Sequence, residues 1–313
     1  MMNSPLVSIG LPVYNGGKSL ARALNSILVQ DFGDFEIVIS DNASTDETRM
    51  IGEDYARRDT RIRYFVNETN IGANPNHNRV FRASQGKYFC WMADDVEYLP
   101  GMLGRCVQEM NAAPAPPVLA YPLCEQINEA GVPVQDDASS VASHDARPHR
   151  RASTVIQRIG FVTQHYGLFV AEALRKTRLN GSYPASDRVL TAEMAMLGEI
   201  REIPEVLIRR QLATQGGTRA VLHDQNAWAG WLDTAMKGRH FVLGVEDRLA
   251  WEYFRAAWCL PLKPMDKLRC CVAGPYAHYR RLLLDDLAEP RVKFGRLRRR
   301  WLKGLQTAWQ TVI

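Results

Sequence analysis

Four short apolar runs in the first hundred residues, separated by segments of helical spacing, constrain this chain more than any other feature. Residues 6–11 (LVSIGL), 35–40 (FEIVIS), 61–66 (RIRYFV) and 88–92 (YFCWM) are too short for helices and read as buried strands. Between the first two, Leu20, Ala23, Leu24, Ile27 and Leu28 recur at helical intervals within residues 18–30. A second helix is predicted over residues 46–58, with Ser44 and Thr45 as caps, and a third over residues 76–84. Alternation this regular predicts an α/β fold with a doubly wound, mostly parallel sheet and right-handed crossovers.

The remainder is less regular. Residues 114–117 punctuate the chain, residues 118–127 read as a strand, and residues 128–132 as a turn. Residues 136–148 are polar and unpatterned and read as a mobile loop. Helices are expected over residues 152–163, 172–177 and 187–197, with extended chain at 206–211. From about residue 222 the pattern is helix upon helix. The predicted division is therefore an α/β domain over residues 1–215 and a helical region over 216–313.

Composition narrows the function. With 313 residues, 46% apolar and 23% charged, the chain has the balance of a folded soluble protein. No apolar run reaches the roughly 18 residues needed to span a bilayer, and the opening MMNSPLVSIG lacks the basic region of a secretory signal. Six cysteines without metal-type spacing point to a reduced, cytoplasmic setting. The net charge of +5 is uneven, because residues 291–313 hold seven Lys or Arg and no acid. There Phe294, Leu297, Trp301, Leu305, Ala308 and Val312 recur at three- and four-residue intervals, with Arg296, Arg299, Arg300 and Lys303 opposite. This describes a basic amphipathic helix, suited to a membrane surface or to packing on its own domain. The aromatic-basic interleaving of a nucleic-acid binder is missing.

Three of the strands end in polar turns: Tyr14 and Asn15 after the first, Asp41 and Asn42 after the second, Asp94 and Asp95 after the fourth. Each alone reads as a turn former, a helix cap or a solvated acidic pair. Consecutive parallel strands, however, put such turns along one sheet edge, in the crevice where open α/β sheets bind ligands. A Tyr ring can stack on a base, an Asp can accept from a base N–H, and an acidic pair suits a hard divalent cation on phosphates.

These residues resemble a known family. PVYN (Pro12 to Asn15), SDNASTD (Ser40 to Asp46), NIG (Asn70 to Gly72) and the strand followed by Ala93-Asp94-Asp95 are similar to family 2 glycosyltransferases of the GT-A fold. GLFVAEALRKT from Gly167 and SDRVLTAEMAMLGEIREIPEVLIRR from Ser186 extend the likeness over about the first 215 residues. The resemblance implies nucleotide binding by Pro12, Tyr14, Asn15, Asp41, Asn42, Asn70, Gly72 and Asp94. It implies a divalent metal (Mg or Mn) at Asp95 and a catalytic base at Asp187, with Glu193 as a weaker candidate. His165 and Tyr166 fall near the implied acceptor site. Two departures stand out: Ala93 replaces the usual first acid, and Gln211, Leu212 and Ala213 follow Arg209 and Arg210 where many relatives carry a His. Adjacent residues in extended chain point to opposite sides, so Asp94 and Asp95 are not expected to face the phosphates together.

The implied activity is inverting transfer of a sugar from a nucleotide-diphosphate donor, UDP-linked, to a saccharide or lipid-linked acceptor in surface glycan synthesis. The implied location is the cytoplasm, peripheral on the inner face of the cell membrane through residues 291–313. Two alternatives remain open: a nucleotide-sugar-binding protein with little turnover, and an assembly protein whose helical third docks partners.

Overall fold

The computed structural model describes residues 4–112, 116–128, 130–136, 140–160, 162–212, 225–237 and 243–288. Strands β1 (Val7–Val13), β2 (Phe35–Asp41), β3 (Ile62–Val66) and β4 (Tyr88–Trp91) are joined by helices α1 (Leu20–Leu28), α2 (Thr48–Arg58) and α3 (Ala73–Ala83). After them come β5 (Val96–Tyr98), α4 (Met102–Asn111), β6 (Leu119–Ile127), β7 (Pro133–Asp136) and α5 (Pro148–Arg158). A 3-10 turn (Gln164–Tyr166), β8 (Leu168–Val170), α6 (Ala171–Arg175), α7 (Ser186–Leu197) and β9 (Ile200–Gln211) complete the α/β part. Helices α8 (Gln225–Leu232), α9 (Val245–Cys259) and α10 (Pro264–Ala288) follow.

The sheet runs β3-β2-β1-β4-β8-β6-β9-β5, with β7 paired to β6. Strands β3, β2, β1 and β4 are mutually parallel, as the alternation predicts. Strand β8 is antiparallel to both β4 and β6, and β5 is antiparallel to β9, so the far half of the sheet is mixed. β1 and β2 are buried on both faces, which explains their continuous apolar sequences. One face packs Ile9, Leu11 and Cys90 against Leu24, Ile27 and Met102 of α1 and α4. The other packs Val38, Phe89 and Trp91 with Val80 and Phe81 of α3 and Leu190 and Met194 of α7. Gly10 permits this, since a Cβ there would stand 2.6 Å from the Phe89 ring.

A third layer covers that second face. Leu249, Tyr253 and Ala256 of α9 pack with Ile156 of α5 and Val189 and Ala192 of α7. Fully buried Glu252 takes an ion pair from Arg178 at 2.7 Å, and Arg178 also holds Glu193 at 2.7 Å. Removing one partner of such a buried set leaves an uncompensated charge and costs about 3–5 kcal/mol.

Several expectations change. β1 runs on through Pro12 to Val13, which pairs with Asp41, so its turn starts at Tyr14. Ser44 and Thr45 do not cap α2; Asp46 accepts from the Thr48 N–H at 3.1 Å instead. α5 starts at Pro148, a residue favoured in the first turn because it has no N–H to satisfy. Within the expected mobile loop, Val141 and Ser143 are buried: Tyr121 Oη accepts from the Val141 N–H, and Ser143 bridges to Ile200. The basic helix expected over residues 291–313 lies outside the described residues.

Candidate active site

The β1 and β2 ends are clamped to each other. Asn15 adopts φ 54°, a left-handed conformation Asn tolerates, and its N–H donates to Ser44 Oγ at 2.8 Å while its Oδ1 accepts from the Thr45 N–H at 2.9 Å. The Gly16 and Gly17 N–H groups donate to Thr48 Oγ1 and Asp46 Oδ2. Tyr14, at the tip, is 49% exposed. Asp41 is buried, accepting from Tyr64 Oη–H at 2.6 Å and the Ser44 N–H at 2.9 Å. Burial and the Asp41 carboxylate together raise the Tyr64 phenol far above its usual range, so it stays a donor.

Asn42 is the hub of a buried amide network. Its Nδ2 donates to Asn70 Oδ1 and Gly72 O at 2.9 and 3.2 Å. Its Oδ1 accepts from Asn67 Nδ2 and the Ile71 N–H at 2.9 and 3.0 Å. Two donors and two acceptors exhaust a carboxamide, so the Asn42 side chain fixes the Asn70–Gly72 loop. Asn76 extends the network to Ser40 through both its side-chain atoms. Gly72 sits at φ 91°, and a Cβ there would stand 2.5 Å from Asp233 Cα.

Helix α3 carries this rigidity across to the other side of the site. Asn74 Nδ2 donates to Gly181 O at 2.6 Å and Ser186 Oγ at 3.0 Å, at the entry to α7. Asn78 exchanges two hydrogen bonds with the Asn180 main chain. Sequence reasoning missed Asn67, Asn74, Asn76 and Asn78. The signal available was a cluster of Asn inside a helix, where the residue is a poor former and needs another reason to be present.

The acidic turn after β4 sends its two carboxylates apart, as alternation predicts. Asp94 Oδ2 accepts from Ser19 Oγ–H and lies against the β1–α1 turn. Burial raises its carboxyl pKa, opposed by the Ser19 hydrogen bond and reinforced by the neighbouring Asp95 charge. Asp95 Oδ2 accepts from Arg210 Nε at 3.0 Å, whereas its Oδ1 is buried without a hydrogen-bond partner. Arg209 instead pairs with Glu125 at 2.8 Å.

The 3-10 turn joins this acidic turn to α7. Tyr166 lies within electrostatic reach of Arg210, Asp95 and Asp94, and the preceding His165 within reach of Asp187. The His165 ring stacks on Trp91 at 5.2 Å and meets the Phe169 edge at 5.9 Å. Burial pushes its pKa down to about 4; Asp187 opposes the shift and His77 adds to it. His165 is therefore neutral near pH 7, and its Nε2 is buried without a partner. Asp187 stands in the first turn of α7, accepting from the Arg188 N–H at 2.9 Å. Glu193 is buried, and Arg178 engages both its oxygens.

Among the described residues no three His, Cys, Asp or Glu side chains gather as ligands. The orphaned Asp95 Oδ1 nevertheless fits a cation held by one carboxylate and completed by substrate oxygens and water, a common arrangement for Mg²⁺.

Comparison with known proteins bears on the family and the fold. A family model described as glycosyl transferase family 2 matches residues 8–170, just over half of the chain. Over 108 residues the chain is 35% identical to the GalNAc(5)-diNAcBac-PP-undecaprenol beta-1,3-glucosyltransferase of Campylobacter jejuni, covering 34% of this chain and 35% of that protein. Over 103 residues it is 36% identical to the putative colanic acid biosynthesis glycosyl transferase WcaA of Escherichia coli, covering 33% and 37%. The match thus spans about a third of the length of these curated relatives. S. aureus TarS in complex with UDP-GlcNAc superposes with a TM-score of 0.61 at 16% identity, over 98% of this chain and 81% of that one. The mannosyltransferase PcManGT from Pyrobaculum calidifontis, in complex with GDP-Man and Mn²⁺, gives 0.52 at 17% identity, over 99% and 86%. At these identities the likeness is one of fold, a GT-A-like sheet flanked by helices. The family is carried by the match over residues 8–170: the chain belongs to glycosyl transferase family 2.

Proposed function

We propose that this protein transfers a sugar from a nucleotide-diphosphate donor, UDP-linked, to a saccharide or lipid-linked acceptor in surface glycan synthesis, with inversion at the anomeric carbon. The observation that supports the reading is the 3-10 turn, where Tyr166 lies within electrostatic reach of Asp95, whose buried Oδ1 has no hydrogen-bond partner, and His165 within reach of Asp187. The UDP-GlcNAc bound by TarS and the undecaprenol-linked substrate in the name of the Campylobacter relative support the donor and acceptor classes. In this reading residues 1–215 form the transferase domain and residues 216–313 a helical extension. The protein works in the cytoplasm, with residues 291–313 against the membrane; no described helix is long and apolar enough to cross one.

Tyr14 stacks on the base, Asp41 accepts from it, and Pro12 and Asn15 shape the turn that presents them. Asn42, Asn70 and Gly72 hold the adjoining loop in place. A divalent cation bound by Asp95 would neutralise charge on the diphosphate. Asp187 takes the acceptor hydroxyl proton as that oxygen attacks the anomeric carbon opposite the diphosphate. The bond to the diphosphate breaks with its electron pair, and Arg210, beside Asp95, meets the developing charge. A single base with direct attack gives inversion.

The Asp95–Arg210 ion pair favours a second reading, a binder with little turnover, because it occupies one oxygen of the metal-binding candidate. Calorimetric titration with a panel of nucleotide sugars, with and without Mn²⁺, followed by NMR of the product's anomeric configuration, tests both. Binding followed by an inverted product is expected. A retained configuration, or binding without transfer or hydrolysis, would contradict the transferase reading.

A further inference from the structure

Helix α9 buries one face and leaves an aromatic stripe on the other. Leu249, Tyr253, Ala256 and Ala257 pack inward, whereas Trp251, Phe254 and Trp258, spaced three and four residues apart, lie along one line of the helix surface. Trp251 is 49% exposed and Trp258 64%. The chain then turns into α10, whose first turns expose Met265 and Leu268. Lys267 ties the two helices, its Nζ donating to Trp258 O at 2.9 Å and standing 6.0 Å from the Trp258 ring.

We infer that this α9–α10 corner docks on an anionic lipid bilayer. Ring geometry and charge select that partner. Trp251 and Trp258 both stack on Phe254, with interplanar angles of 16° and 11°, so Phe254 is covered on both sides. A carbohydrate platform needs open ring faces; an apolar interface accepts edges and amphipathic Trp rings at headgroup depth. The α9–α10 corner carries Lys263 and Lys267 with Asp266 between them in the sequence, and Arg255 adds a cation shared with buried Glu252. Exposed apolar side chains rimmed by cations complement anionic headgroups, each cation near such a surface contributing about 1 kcal/mol. The surface is built from described residues, apart from the basic tail, and its docking does not depend on the donor chemistry.

Cys259 supplies a local reporter: it is exposed beside Trp258, while the other five cysteines are buried. The full chain labelled there with an environment-sensitive fluorophore is mixed with phosphatidylcholine vesicles with or without phosphatidylglycerol. Emission should rise and shift to the blue only with phosphatidylglycerol. Replacing Trp251 and Trp258 together by Glu should weaken this response at least about tenfold. Lys263→Gln should weaken it about fivefold, the loss of about 1 kcal/mol at the anionic surface. Circular dichroism should confirm that both variants are folded, and transfer to a water-soluble acceptor should be unchanged. A label that stays in water while the protein sediments with vesicles would place binding elsewhere and overturn the inference. So would an unchanged response in the double variant, equal insertion into neutral vesicles, or a stripe that instead mediates a dimer by light scattering. Because vesicle binding is read without donor, its failure is distinct from failure of the transferase reading.

Discussion

The two sides of the candidate site are finished to different degrees. At the β2 end, Asp41 and Asn42 are buried and hydrogen-bonded, with all four positions of the Asn42 amide in use. Around the 3-10 turn, Asp95 Oδ1, Gln164 Oε1 and His165 Nε2 are buried without hydrogen-bond partners. Folded proteins leave few such atoms, and each one calls for an explanation. Under the proposed function the contrast would separate two tasks: a nucleotide side that is a rigid mould shaped before binding, and a transfer side that keeps polar atoms in reserve for ligand. Preorganisation on one side and unspent hydrogen-bonding capacity on the other is what a transferase with a tightly seated donor requires.

The contrast can be broken most sharply at Asp187. Asp187→Asn should lower kcat by roughly 10²–10⁴ while donor affinity measured by calorimetry stays the same. A loss of affinity with turnover preserved would move Asp187 to the nucleotide side. Asp95→Asn, which keeps an acceptor for Arg210, should reduce turnover on the order of 10²–10³ and abolish any Mn²⁺ response, with the melting temperature little changed. Asn42→Ala should do the reverse. Its four hydrogen bonds hold the Asn70–Gly72 loop, so unfolding stability should fall by about 3 kcal/mol in denaturant titration, with donor affinity falling in consequence. Unchanged stability would show the network to be slack.

His165 sharpens the comparison through pH. Its pKa is depressed from 6.5 to about 4, so the unfolded chain takes up a proton before the folded one does. Its contribution is intact above about pH 6.5 and is lost as pH falls toward 4, amounting to on the order of 3 kcal/mol. His165→Gln should flatten that acid limb of the stability profile. A limb as steep as in the parent would assign it to other groups, such as His77, whose pKa burial also lowers.

How much could be read in advance follows the same division. β1 to β4 were legible because each is a continuous apolar run bounded by polar turns, and the turns at Tyr14, Asn42 and Asp94 were legible because they end those runs. β5 and β8 were not, since three residues carry no periodicity and these strands exist through pairing with β9, β4 and β6. The divergence of Asp94 and Asp95 was foreseeable from strand alternation. The Asp95–Arg210 pair, bridging 115 residues of sequence, was not. Nor was the Asn network, because Asn ordinarily signals a turn rather than a buried brace.

The proposed function requires one pocket bordered by residues from the ends of β1, β2 and β4, with Asp187 facing it. A crystal structure with UDP-GlcNAc and Mn²⁺ would test this most directly. The expected result is uracil against Tyr14 and Asp41, diphosphate beside Asp95 and Arg210, and the anomeric carbon open toward Asp187. A donor bound elsewhere, or bound there with its sugar turned away from Asp187, would contradict it.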